Sequence, residues 1–209
     1  MTNLFFKKIK NIKINDILFN LKLKKNKKDS LINDIKELDA AGTNDISFFH
    51  SVRYLESLKK TKAKYIITSK KFKNIIPRKF NIIEVSNVLL SVANITLLFY
   101  PNALNDSFDR SVEPIKNNQF TKLISGKNVL IGKNVKIGKN CLIGHNTIIE
   151  HDVKISDNCK IGSNVILKNC IIGKNTNILD GAIIGKKGFG FFPIDNKNLR
   201  YPHIGAVII

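Results

Sequence analysis

Apolar runs of membrane-spanning length are missing from this sequence. The longest, VLLSVANITLLF at Val88–Phe99, is too short and too polar to cross a bilayer. The opening MTNLFFKKIK lacks the apolar stretch that a secretory signal carries. Both absences point to a soluble, cytoplasmic protein. Cysteine is scarce: Cys141, Cys159 and Cys170 are odd in number and sit in no CxxC-type spacing, so no metal site is expected and the thiols read as reduced. Acidic residues are few, 16 against 35 lysines and arginines, which leaves a net charge of +19. The excess is nearly all lysine and runs the length of the chain. It suits acidic partners, anionic membranes or nucleic acid about equally, and its simplest reading is a solvated surface. The densest run, KLKKNKK at Lys22–Lys28, reads as an exposed loop or hairpin end. What is present in quantity is apolar residue, 43% of 209, enough to fill one large core or two small ones.

From Ser125 the chain repeats every six residues: SGKNVL IGKNVK IGKNCL IGHNTI IEHDVK ISDNCK IGSNVI. Position one is isoleucine or leucine from Ile131 to Leu167, position two mostly glycine, position four asparagine or aspartate, position five small or β-branched. A period of six does not fit a helix, and a glycine in every second turn would cost about 1 kcal/mol each. Short strands separated by corners fit, with Asn and Gly supplying left-handed backbone at the bends. One such side cannot bury its apolar residues alone, so the coils must stack as a parallel β-helix. The register slips by one residue around LKNCIIGKNTNI and resumes at Ile172, Ile178 and Ile184. With three sides to a coil, residues eighteen apart are stacked, which makes Cys141 and Cys159 adjacent core fillers. His145 and His151, at position three of successive hexads, face outward on different sides and do not form a shared ligand set. Lys139 and Asp157 in that outer row are spaced to pair across coils.

After Ile184 the hexads stop for GKKGFGFFPIDNKNLRYPH and restart with IGAVII, an excursion over 186–203. Departures from a regular scaffold often carry sites, and Gly188, Phe189, Gly190 and Phe191 form its aromatic, backbone-exposed part. Residues 1–105 lack the six-residue period. YLESLKKTKA reads as a helix, KYIIT and FNIIEV as buried strands, and SNVLLSVANITLLFY as a helix with a serine cap, together a small α/β domain. Residues 106–124 read as a linker, and 125–209 as the β-helix, incomplete at its C-terminal end. In SFFHSVRYLESL, Phe48 and Tyr54 are spaced to hold a flat ring between them with Ser51 in the middle; stacking a base on an aromatic contributes about 1–3 kcal/mol. Two aromatics near a helix start are also ordinary core packing.

DIKELDAAGTNDISFFHSVRYLESLKKTKA, SNVLLSVANITLLFYP, the hexads and IGKKGFGFFP…YPHIGAVII together resemble the UDP-3-O-acylglucosamine N-acyltransferase family of lipid A synthesis. The resemblance covers most of the chain. It implies a left-handed coil, a homotrimer with active sites in grooves between neighbouring coils, and a front domain in which Phe48 and Tyr54 sandwich the uracil of a UDP-acylglucosamine. The family usually has asparagine where Ser51 stands, proline at Val52, aspartate at Lys187 and a proline after the position of Asn87. Serine can keep one hydrogen bond to the base, with shorter reach. The implied reaction moves a 3-hydroxyacyl chain from acyl carrier protein, on its phosphopantetheine thioester, to the glucosamine 2-amino group, with a histidine as general base and no bound cofactor or metal. That histidine belongs to hexads expected beyond Ile209. None of His50, His145, His151 or His203 matches its position, so no catalytic residue is carried over. The implied protein is cytoplasmic or peripheral to the inner membrane, with no nucleic-acid partner. Two alternatives remain: a non-catalytic UDP-sugar-binding paralogue, and another hexapeptide-repeat sugar acetyltransferase using acetyl-CoA.

Overall fold

The computed structural model describes residues 3–116, 119–194 and 196–209; Asn117 and Asn118 of the expected linker and Asp195 of the excursion lie outside them. The chain forms two compact units. One comprises Lys7–Leu104 with Gly190–Pro202, the other the N-terminal residues through Phe6 with Asn105–Phe189 and His203–Ile209.

The first unit begins with β1 (Ile12–Lys13), α1 (Ile14–Asn20) and β2 (Leu31–Ile32), β1 and β2 pairing antiparallel. Lys22–Lys28 is irregular and mostly exposed, with Lys22 at φ 57°. Next come β3 (Ile46–Phe49), α2 (Leu55–Lys60), β4 (Tyr65–Thr68), β5 (Asn81–Glu84) and α3 (Val88–Phe99). The strands form a parallel sheet in the order β3-β4-β5. The central strand β4 is buried at every residue, as a parallel strand covered on both faces must be. On one face Phe49, Ile66, Ile76 and Phe80 pack with Leu58 of α2; α3 packs against β3 and β4. Burying side chains such as Phe49 and Ile66 stabilises the unit by about 2 kcal/mol each. The cap of α3 is Asn87 and not the neighbouring serine: its Oδ1 accepts from the Leu90 amide at 3.0 Å, while Ser86 lies one residue too early. Among the described residues no helix is long and apolar enough to cross a membrane.

The second unit is built of two-residue strands: β6 (Glu113–Pro114), β7 (Ile124–Ser125), β8 (Leu130–Ile131), β9 (Lys136–Ile137), β10 (Leu142–Ile143), β11 (Ile148–Ile149), β12 (Lys154–Ile155), β13 (Lys160–Ile161), β14 (Ile166–Leu167), β15 (Cys170–Ile172, three residues), β16 (Asn177–Ile178) and β17 (Ile183–Ile184). In the excursion β18 (Phe191–Ile194) and β19 (Lys197–Arg200) make an antiparallel hairpin, and β20 (Val207–Ile208) returns to the coil. Three ladders result, β7-β10-β13-β16, β6-β8-β11-β14-β17 and β9-β12-β15-β20. All their pairings are parallel except β6 with β8. Leu142 pairs with Ile124 and Lys160, eighteen residues to either side. Past the slip Lys154 pairs with Ile171 and Lys160 with Asn177, seventeen away, the missing residue being taken out at the Asn169 corner. Position one points inward, with Ile143, Ile149, Ile161 and Leu167 each at most 1% exposed.

Asparagine and glycine divide their work differently from the sequence expectation. Asn128, Asn134, Asn140, Asn146, Asp152, Asn158 and Asn164 all take left-handed backbone, φ 54–61°, and their side chains ladder from coil to coil, Asn128 Nδ2 donating to Asn146 Oδ1 at 3.1 Å. Past the slip Gly185 takes φ 76°, but the other position-two glycines have no positive φ. They are required by the close approach of coils: a Cβ on Gly144 would lie 2.5 Å from the Gly162 carbonyl carbon and the Ser163 nitrogen. Likewise Lys139 and Asp157 meet through the Lys139 backbone amide, which donates to Asp157 Oδ1 at 2.9 Å; an ion pair does span coils at Lys168–Glu150, 2.7 Å.

Candidate functional site

Alternation along β3 directs Ser47 and Phe49 into the core, both fully buried, and leaves Phe48 and His50 half-buried on the opposite face. This is the carboxyl end of a parallel sheet, the edge at which open α/β folds bind ligands. Beyond it Ser51 caps a short 3-10 turn, Val52–Tyr54, its Oγ accepting from the Arg53 amide at 3.3 Å. That turn delivers Tyr54, 42% exposed, back toward the strand end.

Phe48, Ser51 and Tyr54 are thus brought onto one edge, but the two rings do not face an empty gap. The His50 imidazole packs against both, its centroid 5.9 Å from that of Phe48 at an interplanar angle of 28° and 5.3 Å from that of Tyr54 at 41°. His50 Nδ1 is buried and makes no hydrogen bond. Sequence reasoning placed His50 in the turn and gave it no part in the slot. The signal that could have found it is the two-residue spacing from Phe48, which sets both on one face of an extended strand.

The excursion is a hairpin entered through the glycines. A Cβ on Gly188 would stand 2.7 Å from His203 Cε1, so a side chain there would have to displace the His203 ring. Phe189 is 91% exposed and Phe191, at the head of β18, 48%. The Gly190 carbonyl accepts from the Tyr201 amide at 2.8 Å, and the Phe192 and Tyr201 rings meet at 5.6 Å. Gly188 and Phe189 go with the coil unit, Gly190 and Phe191 with the α/β unit. Lys187 is drawn in: its Nζ donates to the Asn105 carbonyl at 2.6 Å, lies 3.7 Å from Asp106 Oδ1, and sits 5.3 Å above the Phe6 ring.

The coil histidines serve the scaffold. Several position-three amides are capped by a side chain from the next coil, and His145 does this for Lys127, whose amide donates to His145 Nδ1 at 2.8 Å. Ser163 Oγ, Asp157 Oδ1 and Asp180 Oδ1 cap other members of the row in the same way. Along the ladder that holds β8 and β11, the segment before the coils supplies the caps. Asp109 Oδ2 accepts from the His151 amide at 2.7 Å and Ser111 Oγ from the Lys133 amide at 2.9 Å. Burial alone would raise the Asp109 carboxyl, but hydrogen bonds from Ser111 and from the His151 amide outweigh it and hold the group below its ordinary value. The His151 ring meets its neighbour Asp152 at 2.8 Å.

All three cysteines are buried and unpaired with one another. Burial raises the Cys141 thiol and pushes Cys170 up to about 12, which keeps them protonated and unreactive at neutral pH. Among the described residues no cluster of three or more histidine, cysteine or acidic side chains could hold a metal ion.

Residues 29–98, the β3 edge included, match the family model LpxD, UDP-3-O-(3-hydroxymyristoyl) glucosamine N-acyltransferase, and residues 125–188 match the model of the GMPPB C-terminal domain. UDP-3-O-acylglucosamine N-acyltransferase 2 of Legionella pneumophila (strain Paris) is 39% identical over 183 residues, covering 85% of this chain and 52% of the relative. The UDP-3-O-acylglucosamine N-acyltransferase of Helicobacter pylori (strain HPAG1) is 35% identical over 189 residues, 87% of this chain and 53% of the relative. The chain spans about half the length of these curated relatives. Over one stretch that takes in both units, the chain is similar to UDP-3-O-acylglucosamine N-acyltransferases.

Proposed function

We propose that this chain supplies the nucleotide-binding unit and coils of an N-acyltransferase of lipid A biosynthesis. The acceptor is a UDP-3-O-acylglucosamine; the donor is a 3-hydroxyacyl thioester on the phosphopantetheine of acyl carrier protein. The acceptor's 2-amino nitrogen attacks the thioester carbonyl, an amide forms, and the carrier thiol leaves with the displaced proton. The observation that carries this reading is that identity to enzymes of that name runs through the α/β unit and the coils together.

Phe48 and Tyr54 hold the uracil, Ser51 gives it one hydrogen bond, and the Gly188–Phe191 stretch borders the acyl groove. The position of the aromatic pair at the carboxyl edge of a parallel sheet supports that role. The coil is left-handed and three copies assemble around it, so that each groove is shared. A net charge of +19 favours encounter with an acidic carrier protein. The general base is assigned to none of the four histidines; His145 Nδ1 already accepts the Lys127 amide.

Titration with UDP and an acyl-transfer assay test the reading. UDP binding that is weakened at least tenfold by Tyr54→Ala, in line with one lost stacking contact, is the expected result. Failure of UDP to bind, or preference for acetyl-CoA over acyl carrier protein as donor, overturns it. Turnover by these 209 residues alone would overturn the assignment of the base outside the four histidines.

A further inference from the structure

We propose that His50 is the resident occupant of the aromatic slot, an affinity-determining residue that must leave before a ligand ring can enter. Three observations converge. Strand alternation puts His50 on the same face as Phe48, and the turn at Ser51 brings Tyr54 over it, so the imidazole lies at 5.9 and 5.3 Å from the two rings. Those separations are within the stacking range of aromatic pairs, so His50 takes up the contacts a planar ligand would make. Its Nδ1 is buried there without a partner, which is costly for a polar atom.

The two positions of the ring are therefore matched against each other. Inside, the imidazole gains two ring faces and forfeits a hydrogen bond; outside, it recovers that bond to water and leaves Phe48 and Tyr54 open. A ligand ring entering the slot returns the stacking and frees the imidazole at once. The apparent affinity is the intrinsic one reduced by the fraction of molecules with the slot open. The identity of the ligand ring as uracil rests on the reading above; the occupancy of the slot by His50 does not.

Titration calorimetry with UDP on the full chain, its His50→Ala and His50→Ser variants, and proton NMR of the His50 ring test this. The expected results are UDP binding roughly tenfold tighter in both variants, and His50 ring protons shifted upfield in free protein that move to ordinary positions on UDP addition. Unchanged or weaker binding in the variants, or upfield protons that stay put in the UDP complex, overturns the exchange. The absence of an upfield shift that Phe48→Ala or Tyr54→Ala can abolish also overturns it. If neither wild type nor variants bind UDP while the upfield shift is present, the uridine reading falls and the exchange for uracil falls with it. UDP binding that is equal in wild type and variants leaves the uridine reading standing and removes only the role of His50.

Discussion

The coil unit and the α/β unit bury similar side chains by opposite means. In the coils each residue's task follows from its place in a six-residue frame: Ile161 is inside because it is position one, Asn140 bends the chain because it is position four, and the coil eighteen residues on repeats the same contacts. In the α/β unit no residue's task is repeated anywhere. Ile66 is buried because α2, Phe49 and Phe80, far apart in sequence, converge on it. A periodic unit spreads its information over many equivalent positions, whereas the α/β unit concentrates it in single ones. The edge proposed to face a ligand is found in the unit without a repeat.

That contrast can be tested by deletion of single groups. The largest effect is expected from Ile161→Ala, which empties a fully buried site between coils: a loss of about 3–4 kcal/mol, with hydrogen-exchange protection falling first in the coils at Leu142–Ile143 and Asn177–Ile178 that stack on it. Uniform loss of protection across both units would break the picture of coils supported by their neighbours. Asn140→Ala comes next. Left-handed backbone without a permissive side chain costs about 1–2 kcal/mol, and the ladder bond to Asn158, 3.3 Å, is lost as well. Asn140→Gly keeps the backbone and should recover most of the loss in chemical denaturation. Smallest is Asn87→Ala at the cap of α3, about 1 kcal/mol, with Asn87→Ser close to neutral because serine caps equally well. A loss at Asn87 as large as at Ile161 would mean that the α/β unit depends on its caps more than on its core.

Much of the coil was legible because its physics is local. Ile at one position in six, with Asn three residues later, admits little besides stacked short strands, and the slip at Asn169 shows in the sequence as one missing residue. Position-two glycine was misread as a bend everywhere but at Gly185, because a glycine needed for φ and one needed for space look alike in sequence; only the stacked coil reveals that Gly144 faces the Gly162 carbonyl carbon. Lys139 and Asp157 were correctly spaced but meet through a backbone amide, since the position-three N–H has no ladder partner of its own. In the α/β unit, β4 and β5 were readable as apolar runs. β3 was not, because SFFHS carries the turn signals of Ser51 directly after the strand.

The sequence by itself determined the hexad register, the inward row of isoleucines and the aromatic pair Phe48 and Tyr54, because each depends on residue type and spacing within a short stretch. The tertiary structure alone decided what packs against those aromatics. Whether the His50 ring turns to solvent or into the slot depends on where the Val52–Tyr54 turn carries Tyr54 relative to the end of β3, a placement fixed by the packing of α2 on the sheet.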